Sequence, residues 1–127
     1  MDKELNQTLN ELSEIIYQKK GNNILAIDVE GLSSICDILL IAEGNVERHV
    51  SSLASSLVSG MKEQGIKPFA VEGVREGEWV VLDYGRIHIH LFTPGVRQKY
   101  LLEHLWEEGK LIDLDLSKDK PKSPSMR

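Results

Sequence analysis

The strongest structural signal in the chain is an apolar stretch interrupted by a short turn, Trp79-Val-Val-Leu-Asp-Tyr-Gly85-Arg86-Ile-His-Ile-His-Leu-Phe92. Glycine in the first place of a two-residue loop favours a type II′ turn, so Gly85 and Arg86 predict a β-hairpin of defined register. The predicted pairs are Tyr84 with Ile87, Asp83 with His88, Leu82 with Ile89, Val81 with His90, Val80 with Leu91 and Trp79 with Phe92.

The two faces of this hairpin differ in chemistry, because side chains alternate along a strand. The face predicted to lie in the core carries Val80, Leu82, Tyr84, Ile87, Ile89 and Leu91. The opposite face, here called the aromatic face, carries Trp79, Val81, Asp83, His88, His90 and Phe92. Such a face is either covered by a helix or presented to a partner, and tryptophan is a frequent anchor of protein interfaces. The hairpin alone leaves both interpretations open.

The polar side chains of the aromatic face also allow a metal site. Asp83, His88 and His90 would supply three ligands with an open position, as in a metal-dependent hydrolase or a nucleotidyltransferase-type enzyme. A cross-strand ion pair between Asp83 and His88 is the simpler interpretation, so no metal or other cofactor is expected. Asp28 and Glu30 would place two carboxylates on one strand face, but no phosphate-binding loop accompanies them.

Apolar periodicity before the hairpin predicts two helices that pack one face on the core. The first, over about residues 2–19, has its apolar stripe at Leu5, Leu9, Leu12 and Ile16. The second starts at an Asn45 N-cap and ends before Gly65. Its stripe is Val46, Val50, Leu53, Leu57 and Met61.

Short apolar runs predict the remaining elements. One strand, ended by Gly31, contains Ile24, Leu25, Ile27 and Val29. The run from Cys36 to Ala42 lacks polar alternation, so this strand is expected to be covered on both faces. Phe69–Val71 predicts a short strand, and Pro94 opens a last helix with Val96, Tyr100, Leu101 and Leu105 on one face. The order α β β α β β β α predicts an α/β or α+β fold, with a mixed sheet of about five strands flanked by helices.

Charge divides the chain into two parts. The 127 residues carry a net charge of −5, but residues 117–127 hold four basic side chains and one acidic, which leaves −8 on residues 1–116. We therefore expect a single domain over 1–116 and a disordered basic tail over 117–127. The acidic body disfavours direct nucleic-acid binding and favours a basic protein partner.

Cysteine content and hydropathy indicate the compartment. The single Cys36 cannot form an internal disulfide and is expected to be a small apolar group in a reducing environment. No apolar run is long enough to cross a bilayer, and the first residues lack the layout of a signal or transit peptide. We therefore predict a cytoplasmic protein that does not associate with a membrane.

An ordered series of motifs resembles one family. The segments are Asp37-Ile-Leu-Leu-Ile-Ala42, Gly44-Asn45, Arg48-His-Val50, Val71-Glu-Gly73, Glu78-Trp-Val-Val-Leu-Asp-Tyr-Gly85, His88-Ile-His-Leu-Phe92, Pro94-Gly-Val-Arg97, Tyr100 and Leu102-Glu-His-Leu-Trp106. Together, over about residues 24–106, they resemble the ribosomal silencing factor family, also called the Iojap-related family.

The resemblance implies a translation repressor rather than an enzyme. Members of the family bind the large ribosomal subunit through its fourteenth protein, on the face that joins the small subunit, and so block subunit association when nutrients are short. Organelle relatives take part in large-subunit assembly, and homodimers are known. The implied fold is similar to that of nucleotidyltransferases without their active-site acids.

The family motifs also imply which residues form or support the docking surface: Trp79, Val81, Asp83, His90, Pro94, Arg97 and Tyr100. An alternative for Tyr100 and Trp106 is that they fasten the last helix to the sheet. The sequence departs from the family pattern at Ile38, Glu43, Val46, Arg86 and His88. Arg86 and His88 change the charge at the hairpin tip, so contacts there are not transferred from the family.

Overall fold

The computed structural model describes residues 2–100, 108–114 and 116. The elements are α1 (Lys3–Gln18), β1 (Asn22–Asp28), β2 (Ile38–Glu43), α2 (Glu47–Lys62), β3 (Ala70–Glu72), β4 (Trp79–Asp83), β5 (Ile87–Phe92), α3 (Pro94–Tyr100) and β6 (Lys110–Ile112). The predicted α+β class is confirmed. The predicted disordered tail, Leu101, Leu105 and Trp106 lie outside the described residues.

The described residues form one mixed sheet of six strands, ordered β3-β4-β5-β2-β1-β6, in which only β2 and β5 run parallel. The prediction of about five strands missed β6, which pairs with the edge of β1 at Ala26–Asp28. Three residues are too few to show a period-2 pattern, so β6 is recognisable only through the strand beside it.

The hairpin has the predicted register, from Trp79 opposite Phe92 to Asp83 opposite His88. At the turn, the Tyr84 N–H donates to the Ile87 carbonyl at 2.9 Å. Gly85 has a φ of +84°, as the first position of a type II′ turn requires. The local sequence therefore predicted both the pairing and the face of every side chain in the hairpin.

The main core lies between the sheet and the two long helices. The α1 stripe is buried as predicted, and so are Val50, Leu53, Leu57 and Met61 of α2. They pack against the sheet face that includes Leu40, Val80, Leu82, Ile89 and Leu91. Burial of these side chains is the main stabilising contribution to the fold, at roughly 2 kcal/mol each.

The start of α2 differs from the prediction. Val46 is the N-cap, lies 55% exposed and makes no side-chain cap bond, whereas the Asn45 amide is hydrogen-bonded to Asn22. The Asn45 N–H instead donates to Nδ1 of His49 at 2.9 Å, and His49 Nε2 lies 2.9 Å from the Lys19 carbonyl. His49 thus joins the start of α2 to the end of α1, which an N-cap rule based on adjacent residues does not anticipate.

Strand positions agree with the prediction to within a few residues. β2 is buried on both faces but begins at Ile38, so Cys36 precedes it. β1 ends at Asp28 and contains a register shift between Asn22 and Leu25, where Asn23 has a φ of +50°. β3 begins at Ala70 instead of Phe69, which is 80% exposed beside the edge of the sheet.

A second, smaller core lies on the opposite side of the sheet. Its buried members are Ile27, Val29, Leu39, Ile41 and Phe92, with Leu25, Cys36, Trp79 and Val96 packed against them. Val96 comes from α3, which begins at Pro94 as predicted. In the described part of the chain, no helix is long and apolar enough to cross a membrane.

Candidate functional site

The aromatic face is built around Trp79 at the start of β4. Its indole Nε1–H donates to Nδ1 of His90 at 3.0 Å, and its ring centroid lies 5.0 Å from that of Phe92. Phe92 is fully buried, whereas Trp79, Val81 and His90 are half-buried. The face therefore consists of a packed aromatic base with partly accessible side chains above it.

The hydrogen bond determines the protonation of His90. Because Nδ1 accepts from the indole, the ring is neutral with its proton on Nε2. Burial, and to a lesser extent the neighbouring His88, lowers the pKa of His90 to about 4. The ring is therefore a stable acceptor at neutral pH.

At the turn end of the same face, Asp83 has two partners. Its Oδ1 accepts from the Gly85 N–H at 2.8 Å and lies 3.1 Å from Nε2 of His88. The predicted Asp83–His88 pair is thus present, and it also supports the turn. His90 faces Trp79 instead, and the described residues contain no group of three His, Cys, Asp or Glu side chains that could hold a metal ion.

The other groups considered from the sequence are the carboxylates of Asp28 and Glu30 and the thiol of Cys36, and their contacts are those of structural residues. Glu30 lies beyond the end of β1, and its N–H donates to Oδ1 of Asp28 at 3.0 Å, so the two do not form the predicted carboxylate pair on a strand face. Cys36 packs against the second core, and burial raises the pKa of its thiol. It is therefore a thiol rather than a reactive thiolate at neutral pH.

Arg97 is not on the surface. Its Nη1 donates to the Asn23 carbonyl at 2.6 Å and lies 3.2 Å from Oε2 of Glu43, and the residue is only 8% exposed. It connects α3 to the ends of β1 and β2. Glu43, which the sequence showed only as a departure from the family pattern, is its largely buried partner. An acid at the end of an apolar strand was the available signal.

The structure brings together four predicted site residues, Trp79, Val81, Asp83 and His90, on one face of the hairpin. Pro94 is exposed at the start of α3, directly after this hairpin. Arg97 lies apart in the buried ion pair, and the side chain of Tyr100 is outside what the structure describes. The aromatic face thus contains most of the predicted docking residues.

The sequence did not predict the exposed apolar side chain of Leu111 on the edge strand β6. Leu111 of β6 pairs with Ile27 of β1 and is 72% exposed, which extends the side of the sheet that holds the second core. No sequence signal identified it, because its position depends on β6.

A groove lies on the other side of the sheet, against the two long helices. It has a volume of about 690 Å³ and lies between α1 and α2, where Glu11, Glu14, Ser52, Ser56 and Gly60 contribute to its walls. None of the predicted docking residues borders it. The groove and the aromatic face thus lie on opposite sides of the sheet. The aromatic face is the better candidate for docking a protein, because protein-docking surfaces are commonly shallow patches centred on an aromatic anchor.

Comparison with known proteins gives a consistent picture. The family described as "Ribosomal silencing factor during starvation" matches residues 2–127. The chain is 38% identical to ribosomal silencing factor RsfS of Bacillus subtilis over 97 residues, covering 76% of this chain and 82% of the relative. It is 30% identical over 98 residues to mouse "Mitochondrial assembly of ribosomal large subunit protein 1", covering 75% of this chain and 43% of that protein.

The fold is shared with a solved structure of comparable size. A crystal structure of a Chromobacterium violaceum protein superposes with a TM-score of 0.79 at 30% identity, covering 95% of this chain and 98% of the other. With nearly the whole chain matched by one family and by one fold, the protein belongs to the ribosomal silencing factor family.

Proposed function

We propose that this protein is a cytoplasmic translation repressor that binds the large ribosomal subunit through its fourteenth protein and blocks association with the small subunit. Family membership gives the ribosome as the target. The observation that carries the proposal is the half-buried Trp79, which is hydrogen-bonded to His90 and packed against Phe92 at one end of the partly accessible aromatic face. A large aromatic side chain held in this way is the usual centre of a protein interface.

The proposed mechanism is steric competition. The factor and the small subunit would compete for one surface of the large subunit, so the fraction of blocked subunits equals the occupancy by the factor. No covalent step and no cofactor are needed. The acidic body, at −8 over residues 1–116, favours a basic ribosomal protein over ribosomal RNA as the direct contact.

Within this proposal the site residues have different roles. Trp79, Val81 and Asp83 of the hairpin, with Pro94, contact the partner. Arg97 supports the surface from inside by fixing α3, and Tyr100 belongs to the same helix. A role in large-subunit assembly is proposed by analogy with the name of the mouse relative. Formation of a homodimer is also proposed, and light scattering would measure it.

The test is co-sedimentation with purified large subunits on a sucrose gradient, followed by addition of small subunits. The wild-type protein is expected to sediment with large subunits and to reduce the joined-ribosome peak. Trp79→Ala is expected to lose at least about tenfold in affinity, as a central interface aromatic does.

Phe69→Ala is the matched control, because it also removes a large aromatic side chain. Phe69 is 80% exposed and directly precedes β3, the edge strand at the opposite end of the sheet from β6. This variant is expected to bind like the wild type. Circular dichroism checks that both variants are folded. A wild-type protein that neither sediments with large subunits nor reduces joining would overturn the proposal, and full binding by folded Trp79→Ala would remove the aromatic face from it.

A further inference from the structure

The contact between Trp79 and His90 runs diagonally across the hairpin. Trp79 is paired with Phe92, and His90 is paired with Val81, so the two residues are neighbours on one face but not directly opposite. Diagonal neighbours are within reach of aromatic side chains. Here they meet through a directed bond, the indole Nε1–H to the imidazole Nδ1 at 3.0 Å.

The ring packing restrains the same indole from a second direction. The Trp79 and Phe92 ring centroids are 5.0 Å apart with the rings inclined at 45°, while those of Trp79 and His90 are 6.0 Å apart. Packing alone allows an indole to slide or turn over. A hydrogen bond to its single donor selects one rotamer, because that N–H points in only one direction from the ring.

We infer that His90 is a positioning residue, which holds the indole of Trp79 in the orientation that docks on the partner and does so mainly without touching the partner itself. This inference rests on the proposed function and adds the internal cause of its geometry. An anchor that is ordered before binding loses less side-chain entropy on association. The gain in affinity would therefore come from preorganisation rather than from an additional contact.

The first test removes the acceptor and then restores it. His90→Leu deletes the acceptor at similar size, and His90→Gln carries its amide beyond the Nδ1 position. Both variants should bind large subunits about threefold to tenfold more weakly, because that is the cost of ordering one large side chain on binding. His90→Asn places its Oδ1 near the former Nδ1 and should recover most of the affinity. If either His90→Leu or His90→Gln does not fold, the other keeps the comparison with His90→Asn valid.

The second test asks whether His90 acts through Trp79. Trp79→Phe keeps an aromatic ring but has no N–H to donate, so His90→Leu should have almost no further effect on affinity in that background. A residue that contacted the partner directly, or that merely stabilised the fold, would weaken binding by the same factor in both backgrounds. Strongly coupled substitutions support the inference, and additive ones overturn it.

The third readout is spectroscopic and independent of the ribosome. The chain has two tryptophans, so the indole ¹H–¹⁵N spectrum has two signals, and the one lost in Trp79→Phe is assigned to Trp79. His90→Leu should shift this signal upfield and speed its exchange with water, while His90→Asn should leave it near its wild-type position. An unchanged signal in folded His90→Leu would contradict the hydrogen-bond role.

The two proposals fail in different ways. If the wild type does not bind large subunits, the proposed function fails while the indole spectrum still reports on His90. If the wild type binds and Trp79→Ala does not, but His90→Leu binds normally, the positioning role fails and the docking surface remains.

Discussion

Arg97 and Glu43 form an ion pair inside the protein, with Nη1 of Arg97 3.2 Å from Oε2 of Glu43 and side chains only 10% and 12% exposed. The same nitrogen donates to the Asn23 carbonyl, at the irregular part of β1. One guanidinium thus joins α3, the end of β2 and the start of β1. The helix that follows the hairpin is held against the sheet by this pair.

Removing Arg97 should destabilise the whole fold. Arg97→Met leaves the largely buried Glu43 carboxylate without its cation, and breaking such a pair from one side costs about 3 kcal/mol of unfolding free energy. Urea denaturation measures this loss. Arg75→Met, which changes an exposed arginine, is the control and should shift the free energy by less than about 0.5 kcal/mol. The double variant with Glu43→Gln should regain part of the loss; equal stability of Arg97→Met and wild type would contradict the internal role of the pair.

The glycine before the hairpin should be irreplaceable for a steric reason. Gly73 and Gly65 both have positive φ, +88° and +80°, so alanine at either position costs about 1–2 kcal/mol of backbone strain. A Cβ at Gly73 would also overlap the carbonyl oxygen of Trp79, whereas one at Gly65 meets nothing within 4 Å. We expect Gly73→Ala to lose about 3 kcal/mol or more of unfolding free energy. Similar losses in the two variants, measured in urea, would show that the contact with Trp79 has no energetic effect.

Stability should rise with pH over the range set by His90. Burial, and to a lesser extent His88, lowers its folded-state pKa to about 4 from an ordinary 6.5, so the unfolded chain binds more protons between these values. The free energy of unfolding should therefore fall by up to about 2 kcal/mol between about pH 7 and about pH 5 because of this group. His90→Leu should remove that part of the dependence. An identical slope in this variant and in the wild type would exclude His90 as its origin.

The hairpin tip should influence a carboxyl group at the start of the chain. Oδ1 of Asp2 accepts the Leu5 N–H at 2.8 Å as the N-cap of α1, and Oδ2 accepts Arg86 Nη1 at 2.7 Å. The helix N–H, and then Arg86, lower the pKa of Asp2. In Arg86→Gln this pKa should move back toward its usual value but stay below it, because the Leu5 bond remains.

Carboxyl ¹³C titration by NMR measures this shift directly. Since the folded-state pKa of Asp2 is lowered, its contribution to stability is present above the ordinary carboxyl pKa and is lost as the pH falls. Arg75→Gln is again the control and should leave the Asp2 titration unchanged. A pKa for Asp2 that does not respond to Arg86→Gln would show that the ion pair is absent in solution.

Periodicity explains why the elements with regular patterns were predicted well. The hairpin register follows from Gly85 and the two-residue loop, and the buried stripes of α1 and α2 follow from apolar spacing, because both depend on residues close together in the chain. Val46 continued the spacing of α2 but lies outside the helix as its N-cap. Periodicity indicates a face and does not mark the residue at which that face leaves the core.

The sequence by itself therefore determined the α+β class, the hairpin pairing and the aromatic face that carries Trp79. Only the tertiary structure decided that β6 pairs with β1, that Arg97 is buried on Glu43, and that His90 accepts the indole N–H. The physical reason is the range of the interaction. Side-chain alternation and turn geometry are local, whereas a buried ion pair and an edge strand depend on segments that meet only after the chain has folded.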